Sequence, residues 1–241
     1  MTEAQGAALA SVDVAILAGG LGTRIREALG DTPKVLAPIS GGPFLDHLLD
    51  RLAEAGARRV ILCLGHLAEQ VITHVEERPA SVLRVEWEVE DAPLGTAGAI
   101  RLAAHRLSSD PVMVMNGDTW LDLDYAGFVA AYRRAGAEIA VACVRVDDTS
   151  RYGRVETDAD DHILRFEEKC DPPGPSGIVN GGVYLISRLA LQTIAGGKGA
   201  SLEHDYLPKL GFGDIVAHQA EGVFLDIGTP QSLARAETVM G

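Results

Sequence analysis

Short apolar runs alternate with segments of helical periodicity through the first 146 residues. Apolar runs of strand length occupy 14–18, 59–64 and 112–115, and such runs are typical of strands buried on both faces of a parallel sheet. Between them, apolar residues recur at helical spacing. The predicted helices are one that begins after Pro43 and stops at Gly56, one at 67–77, one at 96–106 with Thr96 as its N-cap, and one at 125–135. This order predicts a parallel sheet with helices on both faces, whose ligands bind at the carboxyl ends of the strands.

Further strands are predicted with different patterns. Residues 82–89 alternate charged and apolar side chains, as an exposed edge strand does, and 138–146 is rich in Val. From about residue 151 the rhythm changes to short strands at 152–157, 162–167 and 179–186, interrupted by a Pro- and Gly-rich loop at 171–177. A last helix starts near Pro230. Since no long polar linker interrupts the chain, residues 1–241 are expected to form a single domain.

Composition and charge narrow the class of protein. With 47% hydrophobic residues in 241, a globular fold is expected. The formal net charge of −13 argues against nucleic acid or an anionic membrane as a partner. Cys63, Cys143 and Cys170 form no Cys-x-x-Cys pair, so neither a zinc site nor a disulfide framework is indicated. Residues 1–11 carry no signal-peptide pattern and no run reaches transmembrane length, so a cytoplasmic location is expected.

A glycine-rich segment follows the first predicted strand. Gly19, Gly20 and Gly22 let backbone N–H groups approach a phosphate, and Arg24 offers a planar fork of donors to phosphate oxygens. Lys34 follows Pro33, so its backbone cannot lie in the middle of a helix. The spacing matches neither the Walker pattern nor the dinucleotide-binding pattern. On these residues alone, an ordinary Gly-rich turn and a surface lysine remain an equal alternative.

The run from Leu17 to Arg24, with Pro33-Lys34 downstream, resembles the signature of sugar-1-phosphate nucleotidylyltransferases; Ile25, where Leu is usual, is a conservative departure. The resemblance implies a Rossmann-like (GT-A type) α/β fold with a mixed, mostly parallel sheet and a smaller sugar-side β insertion. It divides the chain into a nucleotide-binding half at about 12–146 and a sugar-phosphate-binding half at about 147–241. It also implies catalytic roles for Arg24 and Lys34. The implied nucleotide-binding residues of this loop are Leu17, Ala18, Gly19, Gly20, Gly22 and Thr23.

Asp118 and Asp226 are the candidate metal ligands. Each follows a short apolar run, and Mg²⁺ takes one or two carboxylates together with substrate phosphates. Either residue alone is more readily explained as a turn former, because Asn-Gly-Asp and Asp-x-Gly are turn sequences. Both, however, match the metal-ligand motifs of the family in the same order, which favours Mg²⁺ as the cofactor.

The sugar-side residues rest on the resemblance. It implies that Glu168 binds sugar hydroxyls, that Lys169 pairs with the sugar 1-phosphate as a third catalytic cation, and that Gly153 and Asn180 border the sugar. Glu168 and Lys169 could equally belong to a solvated run of charges. Gly153 and Asn180 could equally mark strand bulges.

A loop that precedes the predicted helix at 96–106 resembles the base-reading loop of the family and contributes Glu90, Gly95 and Thr96. Glu90 or Asp91 can accept hydrogen bonds from guanine N1–H and its 2-amino group, which favours GTP, although uracil also offers one N–H donor. The loop from Pro93 onward, with Asn180-Gly-Gly-Val-Tyr184, is most similar to heptose 1-phosphate guanylyltransferases. Without the resemblance, Pro93 and Gly95 are most simply explained as part of a connection between a strand and a helix.

The implied reaction joins GTP, or another nucleoside triphosphate, to a sugar 1-phosphate and releases pyrophosphate. A uridylyltransferase or a mannose-type guanylyltransferase remains an alternative within the family, and a homo-oligomer is compatible with the sequence. Two other classes stay open: a metal-dependent glycosyltransferase that uses Asp122 and Asp124, and a regulatory subunit that binds nucleotide without catalysis. Asp124 is more simply an N-cap, and a regulatory subunit is expected to lack one of the catalytic residues.

Overall fold

A computed structural model describes residues 7–150, 152–167, 175–211 and 213–240. Among them the strands are β1 Val14–Ala18, β2 Pro38–Ile39, β3 Gly42–Pro43, β4 Arg59–Leu64, β5 Arg84–Val89, β6 Val112–Asn116, β7 Thr119–Leu121, β8 Ile139–Val146, β9 Arg154–Thr157, β10 Ile163–Glu167, β11 Gly177–Ile186, β12 Ile215–Ala220 and β13 Phe224–Asp226. The α-helices are α1 Arg26–Leu29, α2 Phe44–Glu54, α3 Ala68–Glu77, α4 Gly95–Ala103, α5 Tyr125–Ala135, α6 Arg188–Gly196, α7 Leu202–Asp205 and α8 Pro230–Met240. Two 3₁₀ turns occupy Lys34–Leu36 and Leu207–Lys209.

One large mixed sheet organises the fold. Its central block β6-β1-β4-β5 is parallel, with β1 between β6 and β4 and β5 at the edge. β11 pairs antiparallel with β6 and with β8, and β12 adds parallel to β8. The hairpin β9–β10 joins this side of the sheet through β11. The predicted α/β class, with a mixed sheet that is mostly parallel at its centre, is confirmed.

Alternate residues of the central strands face two separate hydrophobic cores. Val14 and Ile16 of β1 point into a core with α2 and α5, whereas Ala15 between them points into a second core with α4 and α6. This period of two is the pleat of a strand buried on both faces. The helices therefore cover both sides of the sheet and leave its carboxyl edge open.

Most predicted boundaries lie within a few residues of those observed. The helix at 125–135 has the predicted bounds, and α2 ends where Gly56 adopts a φ of +85°. The predicted N-cap of α4 is wrong: the helix begins at Gly95 with Leu94 as its cap, and Thr96 lies inside its first turn. The predicted end at residue 106 is also wrong, since α4 stops at Ala103. Across the described residues no helix is long and apolar enough to cross a membrane.

Candidate active site

A cleft of about 420 Å³ opens at the carboxyl ends of β1, β4 and β6. Its walls include every predicted nucleotide-binding residue, the two predicted catalytic residues Arg24 and Lys34, and the predicted metal ligand Asp118. The predicted nucleotide-binding residues among them are Leu17, Ala18, Gly19, Gly20, Gly22, Thr23, Glu90, Gly95 and Thr96. The structure therefore collects residues from three segments that are distant in sequence into one concave site.

The loop after β1 forms one wall of the cleft. Gly22 adopts a φ of +58°, in the left-handed region that favours glycine, and turns the chain back toward α1. Arg24 is exposed on this loop, and Ile25 is buried and anchors it. The loop thus presents backbone and a guanidinium to the cleft while its apolar end packs on the core.

Lys34 connects the two predicted metal ligands. Its Nζ lies 2.5 Å from Asp118 Oδ2 and 3.7 Å from Asp226 Oδ1. The Lys34 side chain is only 14% exposed, while the carboxylates of Asp118 and Asp226 are 39% and 23% exposed. Two carboxylates therefore share one position for positive charge at the edge of the cleft.

The local backbone explains why these two aspartates meet. The Gly117 N–H donates to the Leu17 carbonyl at 2.8 Å, and a Cβ on Gly117 would lie 2.9 Å from that oxygen, so only glycine permits this approach. Asp118 is thereby placed against the glycine loop. β13 pairs antiparallel with β7, with Asp226 opposite Thr119, and the Ile227 N–H donates to the Asp118 carbonyl at 3.0 Å.

This pair of carboxylates fits a divalent cation. Mg²⁺ prefers hard oxygen ligands and commonly takes one or two carboxylates while substrate phosphates and water complete its shell. Asp118 and Asp226 provide such donors beside an open cleft, and both already converge on a cationic group. The donor chemistry therefore agrees with the metal ligands predicted from the sequence.

Glu90 lines the cleft where Gly19 and Gly65 approach each other. A Cβ on Gly19 or on Gly65 would lie 2.7 Å from Glu90 Oε1, so the carboxylate packs directly against both glycine backbones. Its other oxygen accepts a hydrogen bond from the Leu94 N–H at 3.1 Å. Since a carboxylate can accept about four hydrogen bonds, acceptor capacity remains for a ligand.

Thr96 lines the cleft, but its hydroxyl is engaged with α7 rather than with its own helix. It donates to Glu203 Oε2 at 2.9 Å and accepts from the Leu202 N–H at 2.8 Å. These contacts explain why Thr96 does not cap α4.

Of the predicted sugar-side residues that the structure describes, Gly153 and Asn180 do not line this cleft. Asn180 and Gly182 belong to a bulge of β11, where the register against β8 shifts between Asn180 and Val183. The alternative that Asn180 marks a strand bulge is therefore confirmed. Gly153 is half-buried and follows Tyr152, whose ring packs edge-on against Phe224 of β13. Glu168 and Lys169 lie outside the described residues, and their predicted roles stay predictions.

Asp122 and Asp124 have structural partners. Asp122 Oδ1 accepts a hydrogen bond from Arg51 at 2.5 Å, and the Arg51 guanidinium also stacks 4.7 Å from the Trp120 ring centroid. Asp124 caps α5 by accepting from the Ala126 N–H at 3.1 Å. The predicted N-cap is confirmed, and neither aspartate lines the cleft.

Sequence reasoning missed several cleft-lining residues, among them His66, Leu67 and Asn116. Each lies at or just after the carboxyl end of β4 or β6, the position at which ligands of parallel sheets bind. That rule could have singled them out. Cys63, also near the end of β4, is not a candidate nucleophile because burial, with the nearby Glu90 and Glu88, raises the pKa of its thiol to about 12.

Comparison with known proteins shows the family of the chain. The sequence profile of the nucleotidyl transferase family matches residues 14–240. A mannose-1-phosphate guanylyltransferase of Mycobacterium tuberculosis is 35% identical over 235 residues, which cover 95% of this chain and 65% of the relative. A D-glycero-alpha-D-manno-heptose 1-phosphate guanylyltransferase of Campylobacter jejuni is 31% identical over 218 residues, which cover 90% of this chain and 94% of the relative.

Solved structures give the same result. The crystal structure of HddC from Yersinia pseudotuberculosis matches with a TM-score of 0.85 and 35% identity, over 95% of this chain and all of the other. The same protein complexed with GMP-PN matches with a TM-score of 0.83. The family profile extends from β1 to α8 and so includes the glycine loop, Lys34, Asp118 and Asp226. The chain therefore belongs to the nucleotidyl transferase family.

Proposed function

We propose that this protein is a sugar-1-phosphate guanylyltransferase that transfers GMP from GTP to a heptose 1-phosphate and releases pyrophosphate. One observation carries the proposal: Lys34 Nζ, Asp118 and Asp226 converge beside a cleft walled by the glycine loop. Relatives named as heptose 1-phosphate and mannose-1-phosphate guanylyltransferases support the substrate class. The heptose is proposed first because the heptose relative is matched over nearly its whole length.

The chemical problem is repulsion between anions. The sugar phosphate is already largely ionised at neutral pH because the second pKa of a phosphate ester is about 6, so no general base is needed for its oxygen to attack the α-phosphorus. Catalysis then consists of positioning and charge neutralisation. A divalent cation held by Asp118 and Asp226 would supply positive charge to the phosphates.

The protein's own groups divide this task. The glycine loop and the exposed Arg24 line the cleft. In the proposed reaction the backbone N–H groups of the loop bind the triphosphate, and Arg24 stabilises the departing pyrophosphate. Lys34, which contacts both aspartates and lines the same cleft, is the proposed partner of the same phosphates. Lys169, by family resemblance, pairs with the sugar phosphate. Glu90 accepts from guanine N1–H and the 2-amino group.

A pyrophosphate-release assay tests the proposal. GTP, ATP, CTP and UTP are each combined with heptose, mannose, glucose and N-acetylglucosamine 1-phosphates in the presence of Mg²⁺. Release of pyrophosphate is expected to be fastest with GTP and the heptose 1-phosphate. Absence of pyrophosphate from every pair would overturn the proposed reaction, and a preference for another base or sugar would overturn the proposed substrates.

Asp118→Asn is expected to lower kcat by at least about a hundredfold, because it removes one of two charged metal ligands while keeping the side chain's size. The matched control is Asp122→Asn, which changes the same chemical group in the same region but breaks only the contact with Arg51. Its kcat is expected to stay within about twofold of wild type. Loss of pyrophosphate release in Asp122→Asn together with its survival in Asp118→Asn would contradict the proposed metal ligands.

A further inference from the structure

Glu203 accepts hydrogen bonds from hydroxyls of three separate segments. Tyr184 of β11 donates to Oε1 at 2.9 Å, while Thr96 of α4 and Ser201 donate to Oε2 at 2.9 and 3.0 Å. The carboxylate therefore connects the helix that borders the nucleotide cleft with the strand that carries Asn180.

The chain of hydrogen bonds continues through Tyr184. Asn180 Nδ2 donates to the Tyr184 hydroxyl at 2.7 Å, and Asn180 Oδ1 accepts from the Gly182 N–H at 2.8 Å. Tyr184 is completely buried, so water does not replace either contact. Burial first, and then the neighbouring Glu203, raise the pKa of Tyr184 well above its ordinary value, and its hydroxyl therefore keeps the proton that it donates.

Thr96, at one end of these hydrogen bonds, lines the cleft, and Gly182, at the other end, lies against a residue that lines it. At the other end, a Cβ on Gly182 would lie 2.6 Å from Asn116 Nδ2, and Asn116 also lines the cleft. A shift of the bulge that carries Asn180 is thus transmitted directly to a residue of the cleft.

We propose that Tyr184 and Glu203 are positioning residues that couple nucleotide binding on the Thr96 side to sugar-phosphate binding on the Asn180 side. The proposal rests on the proposed function, which supplies the two substrates. A continuous chain of hydrogen bonds that passes through a buried tyrosine favours one geometry. Ordering of either end by its substrate therefore favours the geometry that the other substrate needs, and such coupling is reciprocal.

Tyr184→Phe tests the coupling, because it removes one hydroxyl and keeps the shape of the ring. The Kd of α,β-methylene-GTP is measured with and without a saturating concentration of the sugar 1-phosphate that supports the fastest pyrophosphate release. In the wild type we expect the sugar phosphate to tighten nucleotide binding at least about fivefold. In Tyr184→Phe this factor is expected to fall toward one, while the Kd without sugar phosphate changes less than twofold.

Tyr206→Phe is the matched control. It makes the same chemical change close to Glu203, but its hydroxyl contacts Arg101 and the Ile194 carbonyl and has no hydrogen bond to Glu203 or Asn180. It is expected to lower Tm and to keep the wild-type coupling factor. If Tyr184→Phe does not fold, Glu203→Gln carries the same expectation, because the amide keeps the size of the side chain and removes one charged acceptor.

The outcomes separate this proposal from the proposed function. Wild-type protein that releases no pyrophosphate with any pair of substrates would overturn both. Wild-type protein that is active but shows a coupling factor of one would overturn only the coupling. So would a Tyr184→Phe variant that keeps the wild-type factor, or a Tyr206→Phe variant that loses it to the same extent.

Discussion

Lys34 is the residue on which the charge balance of the site depends. It is the cation that the structure places between Asp118 and Asp226, and its side chain is the least exposed of the three. Without it, two carboxylates would face each other at short range, and like charges at that distance destabilise a fold. A divalent cation bound at the proposed site would therefore compete with the Lys34 ammonium for the same two carboxylates.

Lys34→Met is expected to lower the free energy of unfolding in EDTA by about 1–2 kcal/mol, because a charged hydrogen bond is lost and the carboxylates repel. It is also expected to bind Mn²⁺ several-fold more tightly without nucleotide, since the competing ammonium is gone. Urea unfolding and electron paramagnetic resonance titration measure the two effects. Lys198→Met, at an exposed loop position, changes the net charge equally and should leave both unchanged. Weaker Mn²⁺ binding by Lys34→Met would contradict the competition.

Among the strands, β11 carries a bulge that brings its backbone against a residue of the cleft. Gly182 adopts a φ of +72°, and its Cα lies so close to Asn116 that a Cβ would clash with the amide. Gly136, which ends α5, has a similar φ of +63° but open space where a Cβ would lie. Both glycines adopt a positive φ, but only Gly182 has a side chain, that of Asn116, where a Cβ would lie.

Gly182→Ala is expected to lower kcat/KM at least about tenfold, because the added methyl group displaces Asn116 from the cleft. It is also expected to lower the free energy of unfolding by about 1–2 kcal/mol, because an L-residue is strained in the left-handed conformation. Gly136→Ala should show the strain in urea unfolding and keep its kcat/KM. Equal losses of activity in both variants would mean that the bulge does not shape the site.

The edge strand β5 is held by an ion-pair network away from the cleft. Arg59 donates to both oxygens of Glu86 at 2.9 and 3.1 Å, and Arg106 donates to one of them at 3.0 Å. The hydrogen bond from Arg59 lowers the pKa of Glu86 from 4.5 to about 2, assisted by Arg106 and opposed by burial. Since the folded-state pKa is the lower one, this contribution to stability is present above pH 4.5 and is lost as the pH falls toward 2.

Glu86→Gln should therefore lower the urea midpoint at pH 7 and flatten its further decline down to pH 3. Glu54→Gln, at an exposed position of α2, should keep the wild-type pH dependence. A Glu86→Gln profile parallel to the wild-type profile would show that this pair contributes no pH-dependent stability.

The whole molecule carries a formal net charge of −13, although the proposed substrate of its cleft is a polyanion. The overall field repels nucleoside triphosphates, so local cations must overcome it. Arg24, Lys34 and the cation expected at Asp118 provide that charge at one end of the sheet. Nucleotide affinity is therefore expected to depend strongly on the divalent cation.

GTP with Mg²⁺ at about a hundred times its Kd should stabilise the native state by about 2.7 kcal/mol, which corresponds to a rise in Tm of roughly 5–10 °C for a chain of this size. Differential scanning fluorimetry measures the shift. In EDTA most of it should disappear, because the phosphates lose their main counter-charge. Equal shifts with GTP, ATP, CTP and UTP would contradict base recognition by Glu90.

Much of this architecture was predictable because its signals are local. The apolar run of β1, the glycines that follow it and the capping by Asp124 depend on neighbours within a few residues, so the periodicity and the turn chemistry reveal them. Thr96 was misread for the opposite reason. Its hydroxyl bonds to α7, and such a tertiary contact outweighs the preference of a threonine to cap its own helix.

By itself the sequence determined the order of strands and helices, the open carboxyl edge of the sheet, and the glycine loop with Arg24, Lys34 and Asp118 near it. Only the tertiary structure decided that β11 enters the sheet beside β6, that Asp226 meets Asp118 through the β7–β13 pairing, and that Glu203 joins Thr96 to Tyr184. The physical reason is that periodicity records which face of an element is buried. It does not record which distant element covers that face, since this depends on the packing of the whole chain.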